Sequence, residues 1–176
     1  MTEGRFYEQS GIDRYGENAM AGDLAESKVA QVCEARDRPI ASFGPRRVST
    51  ARAQQMTWDR RVRHAPDFLE WGRFVEVQGS NGTYVIFKQE KLEDLTWWHG
   101  LMPVFFGIYL QAQDTVIFCD LPSVLWAIAH PDSEELILDA ETRYPKQAWK
   151  VPVPILMERR VLDAFAASKA EEKNNA

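Results

Sequence analysis

Three short segments rich in β-branched and aromatic residues constrain the fold more than any other part of the chain. Residues 68–71 and 73–78 flank Gly72, and Ser80-Asn81-Gly82 leads into residues 83–88. Glycine and Asn-Gly favour the tight reversals that join neighbouring strands, and the residue types between these turns favour strands. We therefore predict a meander of three strands.

Helical and strand-like patterns surround this meander. Helical spacing covers residues 17–35 and 91–99, a stretch after Pro122, and 155–167, whereas strand-like runs cover 40–43, 103–110, 115–119, 135–138 and 147–151. Helices packed on a mixed central sheet define an α/β (α+β) sandwich. The length suits one domain, predicted over residues 17–168, with an irregular arm at 1–16 and a disordered polar tail at 169–176.

Charge is distributed unevenly along the chain. The formal net charge is −5, yet residues 36–64 hold eight arginines against two aspartates. A concentrated arginine patch can bind phosphates even on an acidic protein, because binding follows the local field more than the total charge. The alternative interpretation of this stretch is a solvated loop.

Other features of the sequence narrow the class of protein. The apolar runs at 101–110 and 121–129 are shorter than the roughly 20 residues that span a membrane, and no secretory signal is visible. Cys33 and Cys119 fit inert buried thiols in a reducing cytosol. No glycine-rich phosphate loop is present, so no nucleotide cofactor is expected. These features indicate a cytoplasmic protein without a membrane partner.

One strand places a carboxylate among apolar side chains. In residues 73–78 the side chains alternate, so Phe74, Glu76 and Gln78 share one face. A carboxylate in such a position is costly to bury without a partner. Glu76 is therefore expected to need a cation.

The hairpin at Gly72 brings a second carboxylate to the first. We expect Phe68 to lie opposite Val77 or a near neighbour, which places Asp67 within a few ångströms of Glu76. Two carboxylates this close either share a proton or hold a metal ion. Mg²⁺ suits them because it prefers oxygen ligands, and the Val77 backbone carbonyl could add one. Phosphodiester hydrolysis is the natural chemistry of such a site.

The segment Pro66-Asp67, eight further residues and then Glu76-Val77-Gln78 resembles the motif of the PD-(D/E)XK nucleases. Glu26, in Gly22-x-x-x-Glu26 of the first helix, looks like the additional acidic residue of that family. The resemblance covers roughly residues 17–119. It implies a restriction-endonuclease-like α-β-β-β-α-β core, laid out as in Holliday-junction resolvases.

The chain departs from the family pattern at Gln78, where most members have lysine. A neutral amide cannot stabilise a hydroxide nucleophile by charge, although it can orient a water by hydrogen bonding. Lys88 or Lys91 could supply the missing ammonium, and Lys88 is favoured because it ends a strand expected beside the motif strand. A catalytically inactive nucleic-acid-binding protein on the same fold is the alternative.

The resemblance implies a Mg²⁺-dependent DNA endonuclease, with Mn²⁺ as a possible substitute, that cuts Holliday junctions or other branched DNA. An exonuclease or a restriction-type enzyme stays open within that class. By analogy with resolvases a homodimer is expected, in a bacterial or phage-infected cell. Asp67, Glu76 and Glu26 would hold the metal, Gln78 and Lys88 would act on the water, and five arginines would bind backbone phosphates: Arg46, Arg47, Arg60, Arg61 and Arg63.

Overall fold

The computed structural model describes residues 20–44, 59–138 and 145–158. The helices in these ranges are α1 (residues 20–34), α2 (Arg60–Arg63), α3 (Gln89–His99), α4 (Leu121–Ile128) and α5 (residues 153–158), with a 3-10 turn at Gln111–Gln113. The strands are β1 (Ile40–Ser42), β2 (Phe68–Glu70), β3 (Arg73–Ser80), β4 (Tyr84–Lys88), β5 (Val104–Leu110), β6 (Thr115–Asp120), β7 (Glu134–Leu138) and β8 (Lys146–Pro152).

The central sheet is mixed and has the strand order β1-β2-β3-β5-β6. Strands β1, β2 and β3 form an antiparallel meander, β5 runs parallel to β3, and β6 returns antiparallel to β5. Gly72, at φ 73°, makes the turn between β2 and β3, as its place in the sequence predicts. With α1 on one side and α3 and α4 on the other, this arrangement confirms the predicted α+β fold.

Helix α1 covers one face of this sheet. Val29 and Cys33 pack there against Phe68 and Val75 in a small buried cluster. A methyl group added at Gly107 of β5 would lie 2.8 Å from a Val29 methyl, so glycine at that position lets the helix approach the strand closely. The alternation of β3 is as predicted: Val75 faces α1, whereas Phe74 belongs to the larger core on the other face.

The prediction that residues 83–88 pair with residues 73–78 is wrong. Strand β4 does not pair with β3 but with β8, in a separate antiparallel sheet of order β4-β8-β7. Both edges of β3 are already occupied, by β2 and by β5. Val85 and Phe87 instead pack into the larger core with Phe74, so β4 lies in a second layer. The observed meander consists of β1, β2 and β3.

The remaining predicted elements vary in outcome. The segments predicted as edge strands near 135–138 and 147–151 are β7 and β8, although β8 is the middle strand of its sheet. The predicted N-terminal arm at 1–16, most of the helix predicted at 155–167, the tail predicted at 169–176 and the predicted contacts Arg46 and Arg47 lie outside the described residues. Within the described ranges, no helix is long and apolar enough to cross a membrane.

Candidate active site

Two carboxylates lie side by side at the start of the β2–β3 hairpin. Phe68 pairs with Val75, so the register, extended by one residue, places Asp67 opposite Glu76. This pairing differs by two residues from the one expected for Phe68 and brings the carboxylates together directly. Oδ2 of Asp67 accepts a hydrogen bond from the Val77 N–H at 2.7 Å, which fixes the Asp67 side chain against β3.

Glu76 is buried, with 6% of its surface exposed. Burial and the neighbouring charge of Asp67 raise its pKa to about 8, although Lys91 acts in the opposite direction. The site is therefore one in which two negative charges are unfavourable until a cation joins them.

Lys91 supplies a positive charge beside Glu76. Its Nζ lies 2.9 Å from Oε2 of Glu76 as an ion pair and also donates to the Ala65 carbonyl at 3.3 Å. Burial alone lowers the pKa of Lys91, but the charges of Glu76 and Asp67 outweigh burial and the pKa is raised. Lys91 therefore stays an ammonium throughout the neutral pH range.

Lys88 holds a different position from the one that the sequence suggested. It is an exposed residue at the end of β4, where it pairs with Ala148 of β8 and not with β3. Lys88 and Lys91 both line the cleft, but Lys91, in the first turn of α3, is the one that contacts Glu76. From the sequence either lysine could supply the ammonium, with Lys88 favoured. The packing of α3 beside β3 is what brings Lys91, and not Lys88, to Glu76.

The cleft above the carboxylates is open to solvent and is lined by most of the predicted site residues. Gln78 is half-buried, and its amide Nε2 lies 3.5 Å from the Gly79 carbonyl. Val77 and Glu26 also line the cleft, Glu26 from α1. Among the described residues no three acidic, histidine or cysteine side chains are grouped closely enough to hold a metal. Glu26 thus faces the same cleft as Asp67 and Glu76, and its role in supporting a metal, directly or through water, stays a prediction.

The predicted arginines have separate environments. Arg60 forms ion pairs with Asp94 of α3 at 3.0 Å and with Glu93 at 3.3 Å. These two carboxylates neutralise much of its positive charge. Arg61 stacks over the Trp97 ring, 5.0 Å from its centroid. Arg63 lines the cleft and is the arginine of the three best placed to meet a phosphate.

Asp94 is a residue that sequence reasoning missed. It is 2% exposed, and it joins α2 to α3 through Arg60 and through His64, whose Nδ1 lies 2.7 Å from its Oδ2. The partners lie 34 and 30 positions away in sequence. The sequence signal that could have identified Asp94 is its spacing of three residues from Lys91, which places both side chains on one face of a helix.

Stability should depend on pH through Glu76. Its pKa is raised from 4.5 to about 8 in the folded protein, so folding favours the protonated form. The stability present below pH 4.5 is lost as pH rises through the folded pKa. In chelator, we expect Glu76→Gln to gain stability over wild type between pH 5 and pH 8.5, on the order of a few kcal/mol, in urea unfolding.

A surface carboxylate serves as the control for this effect. Glu134, exposed and paired with Lys150 at 3.0 Å, undergoes the same change without the burial, so Glu134→Gln should show no such gain. A Glu76→Gln difference that is independent of pH would contradict the described burial of the carboxyl group.

Comparisons with known proteins identify no family. No family model matches the chain, and no curated protein matches it. Among solved structures the chain is similar to D212, a nuclease from a fusselovirus, at 13% identity and a TM-score of 0.42, covering 90% of this chain and 95% of that one. A TM-score this low carries no argument, so the function rests on the site itself.

Proposed function

We propose that this protein is a nuclease that hydrolyses phosphodiester bonds in DNA with a divalent metal ion held by Asp67 and Glu76. One observation carries the proposal: the carboxylates of Asp67 and buried Glu76, with a lysine ammonium 2.9 Å from an oxygen of Glu76, open onto a cleft lined by further polar residues. Adjacent carboxylates and an ammonium are the groups that a phosphodiesterase needs to bind a hard cation and to face an anionic substrate.

The residues present fit Mg²⁺. Mg²⁺ takes oxygen ligands and commonly binds through one or two carboxylates together with substrate phosphate, and Asp67 and Glu76 supply that set. Asp67 lies opposite Glu76 in the register of β2 and β3, and burial together with the charge of Asp67 raises the pKa of Glu76 to about 8, so a cation bound between the two carboxylates would offset their repulsion. When bound, the ion supplies Lewis-acid stabilisation of negative charge at phosphorus. Mn²⁺ prefers similar ligands and would replace it.

The chain's own residues have distinct tasks in this proposal. The Val77 N–H donates to one carboxylate oxygen of Asp67 and holds this side chain, which would bind the metal, against β3. Lys91 favours the ionised form of Glu76, and its ammonium would face the anionic substrate. Gln78, which cannot carry charge, is left to orient a water by hydrogen bonding. Arg63 would bind a backbone phosphate.

The substrate is proposed to be branched DNA, cut by a homodimer. The support for branched DNA is the resemblance of the layout over roughly residues 17–119 to Holliday-junction resolvases. A homodimer is proposed because resolution of a junction requires two coordinated cuts. The competing proposal is a protein that binds nucleic acid without cutting it, and Gln78 in the place of the usual lysine favours that alternative.

A panel of substrates tests the function. The purified protein is incubated with a labelled four-way junction, a linear duplex and single-stranded DNA, each with Mg²⁺ or with EDTA. We expect fragments with Mg²⁺ alone and the fastest cleavage, as symmetric paired nicks, on the junction. Equal cleavage of all three substrates would remove the branched-DNA proposal, and tight binding without fragments under any divalent metal would establish the binding protein instead.

A further inference from the structure

A second group of ionisable side chains lies at the rim of the cleft, where α2 meets α3. Asp94 is 2% exposed and is bound by Arg60 at 3.0 Å and by Nδ1 of His64 at 2.7 Å. His64 itself is partly open, with 24% of its side chain exposed. It lines the cleft that also contains Asp67 and Glu76. The His64 ring is thus held by Asp94 through Nδ1 and is accessible from the cleft.

The contact with Asp94 defines the protonation of the ring. A carboxylate only accepts hydrogen bonds, so Nδ1 of His64 carries the hydrogen in the 2.7 Å contact. In the neutral ring Nε2 then holds the lone pair. Within the described residues Nε2 has no hydrogen-bond partner, and it is the ring nitrogen available to a molecule in the cleft.

The proposed reaction lacks a base without this residue. Lys91 is a charged ammonium, Gln78 cannot accept a proton at neutral pH, and Asp67 and Glu76 are committed to the metal. His64 is placed close to them: the carbonyl of Ala65, the next residue, accepts from Lys91 at 3.3 Å. Lys91 and Asp94 also lie one turn apart on α3, so the same helix supports both parts of the site.

We infer that His64, oriented by Asp94, is the general base of the reaction; the inference rests on the proposed nuclease function. Water oxygen attacks phosphorus, and an oxygen–phosphorus bond forms while the bond from phosphorus to the leaving oxygen breaks. The water proton moves to Nε2 of His64, and the leaving oxygen takes a proton from solvent. The imidazolium, stabilised by Asp94, then returns its proton to solvent.

His64→Gln is the variant that tests the role. We expect kcat to fall about 100-fold or more, in the range typical of a lost general base, with KM and DNA binding unchanged. Added imidazole should restore activity to His64→Ala. His130→Gln is the matched control, because His130 is partly exposed like His64 but lies away from the cleft, 3.8 Å from Asp132. This variant should cleave DNA at the wild-type rate.

NMR of ¹⁵N-histidine protein supplies a readout that is independent of activity. We expect the signals missing from the His64→Gln spectrum to be those of a ring protonated at Nδ1. A ring protonated at Nε2, or a His64→Gln effect confined to KM, would overturn the base role while the nuclease function stands. Wild-type protein that cuts no DNA with any metal would overturn both.

Discussion

Asp67→Asn protein is expected to fold normally, to bind DNA and to lose metal-dependent cleavage by at least about 100-fold, or about 2.7 kcal/mol of transition-state stabilisation. The amide keeps a carbonyl oxygen that can accept the Val77 N–H now bonded to Asp67 at 2.7 Å. The substitution therefore removes a negative charge and leaves the hairpin intact. The measurement is the single-turnover rate on the substrate that the wild type cuts fastest, in Mg²⁺.

The same chemical change at a surface site is the control. Asp132 has 76% of its side chain exposed, so Asp132→Asn should cut at the wild-type rate. Circular dichroism and a DNA-binding measurement check that the Asp67→Asn protein is folded and binds DNA. If Asp67→Asn cuts as fast as wild type, Asp67 is not a metal ligand and the site assignment is wrong.

Lys91→Met is expected to reduce cleavage by about 100-fold or more, comparable to the loss of one preorganised charge-stabilising group. Methionine keeps much of the length and apolar contact of the side chain but removes the ammonium 2.9 Å from Glu76. Without that charge Glu76 loses a group that lowers its pKa, and the phosphate loses a positive neighbour. The measurement is kcat in Mg²⁺ across pH 6 to 9.

Lys88→Met is the comparison that decides between the two lysines. Lys88 is exposed at the end of β4 and lines the cleft, so its loss should cost less than tenfold. Lys150→Met, in the surface pair with Glu134, should have no effect. A larger loss for Lys88→Met than for Lys91→Met would reverse the assignment that the geometry supports.

The carboxylate pair could be predicted from the sequence because it depends on local rules. Alternation along β3 and the glycine turn between β2 and β3 are enough to place Asp67 beside Glu76, and the structure places the two residues opposite each other. An error of two residues in the expected partner of Phe68 did not matter, because side chains return to the same face at every second position.

The lysine could not be chosen in the same way. An Asn-Gly turn is compatible with a hairpin, but β4 leaves β3 for another sheet because β5 takes the free edge of β3. The helix that follows β4 then carries Lys91 to Glu76. Both events depend on contacts between segments distant in sequence.

The arginine patch shows a similar limit. Counting charges located a basic stretch, but the count gave no sign that Arg60 would be paired with Asp94, 34 residues away. The same buried aspartate orients His64, so a residue with no distinguishing local pattern organises one rim of the cleft. Tertiary partners, not composition, decide which basic side chains remain available to a phosphate.

Cleavage of a labelled substrate by wild-type and Asp67→Asn protein, each with Mg²⁺ and with EDTA, tests the metal-dependent nuclease site most directly. We predict fragments in the wild-type reaction with Mg²⁺ and essentially none in the other three reactions, although both proteins bind the DNA. Fragments from wild type in EDTA, or equal cleavage by the two proteins in Mg²⁺, would contradict a metal site built on Asp67 and Glu76.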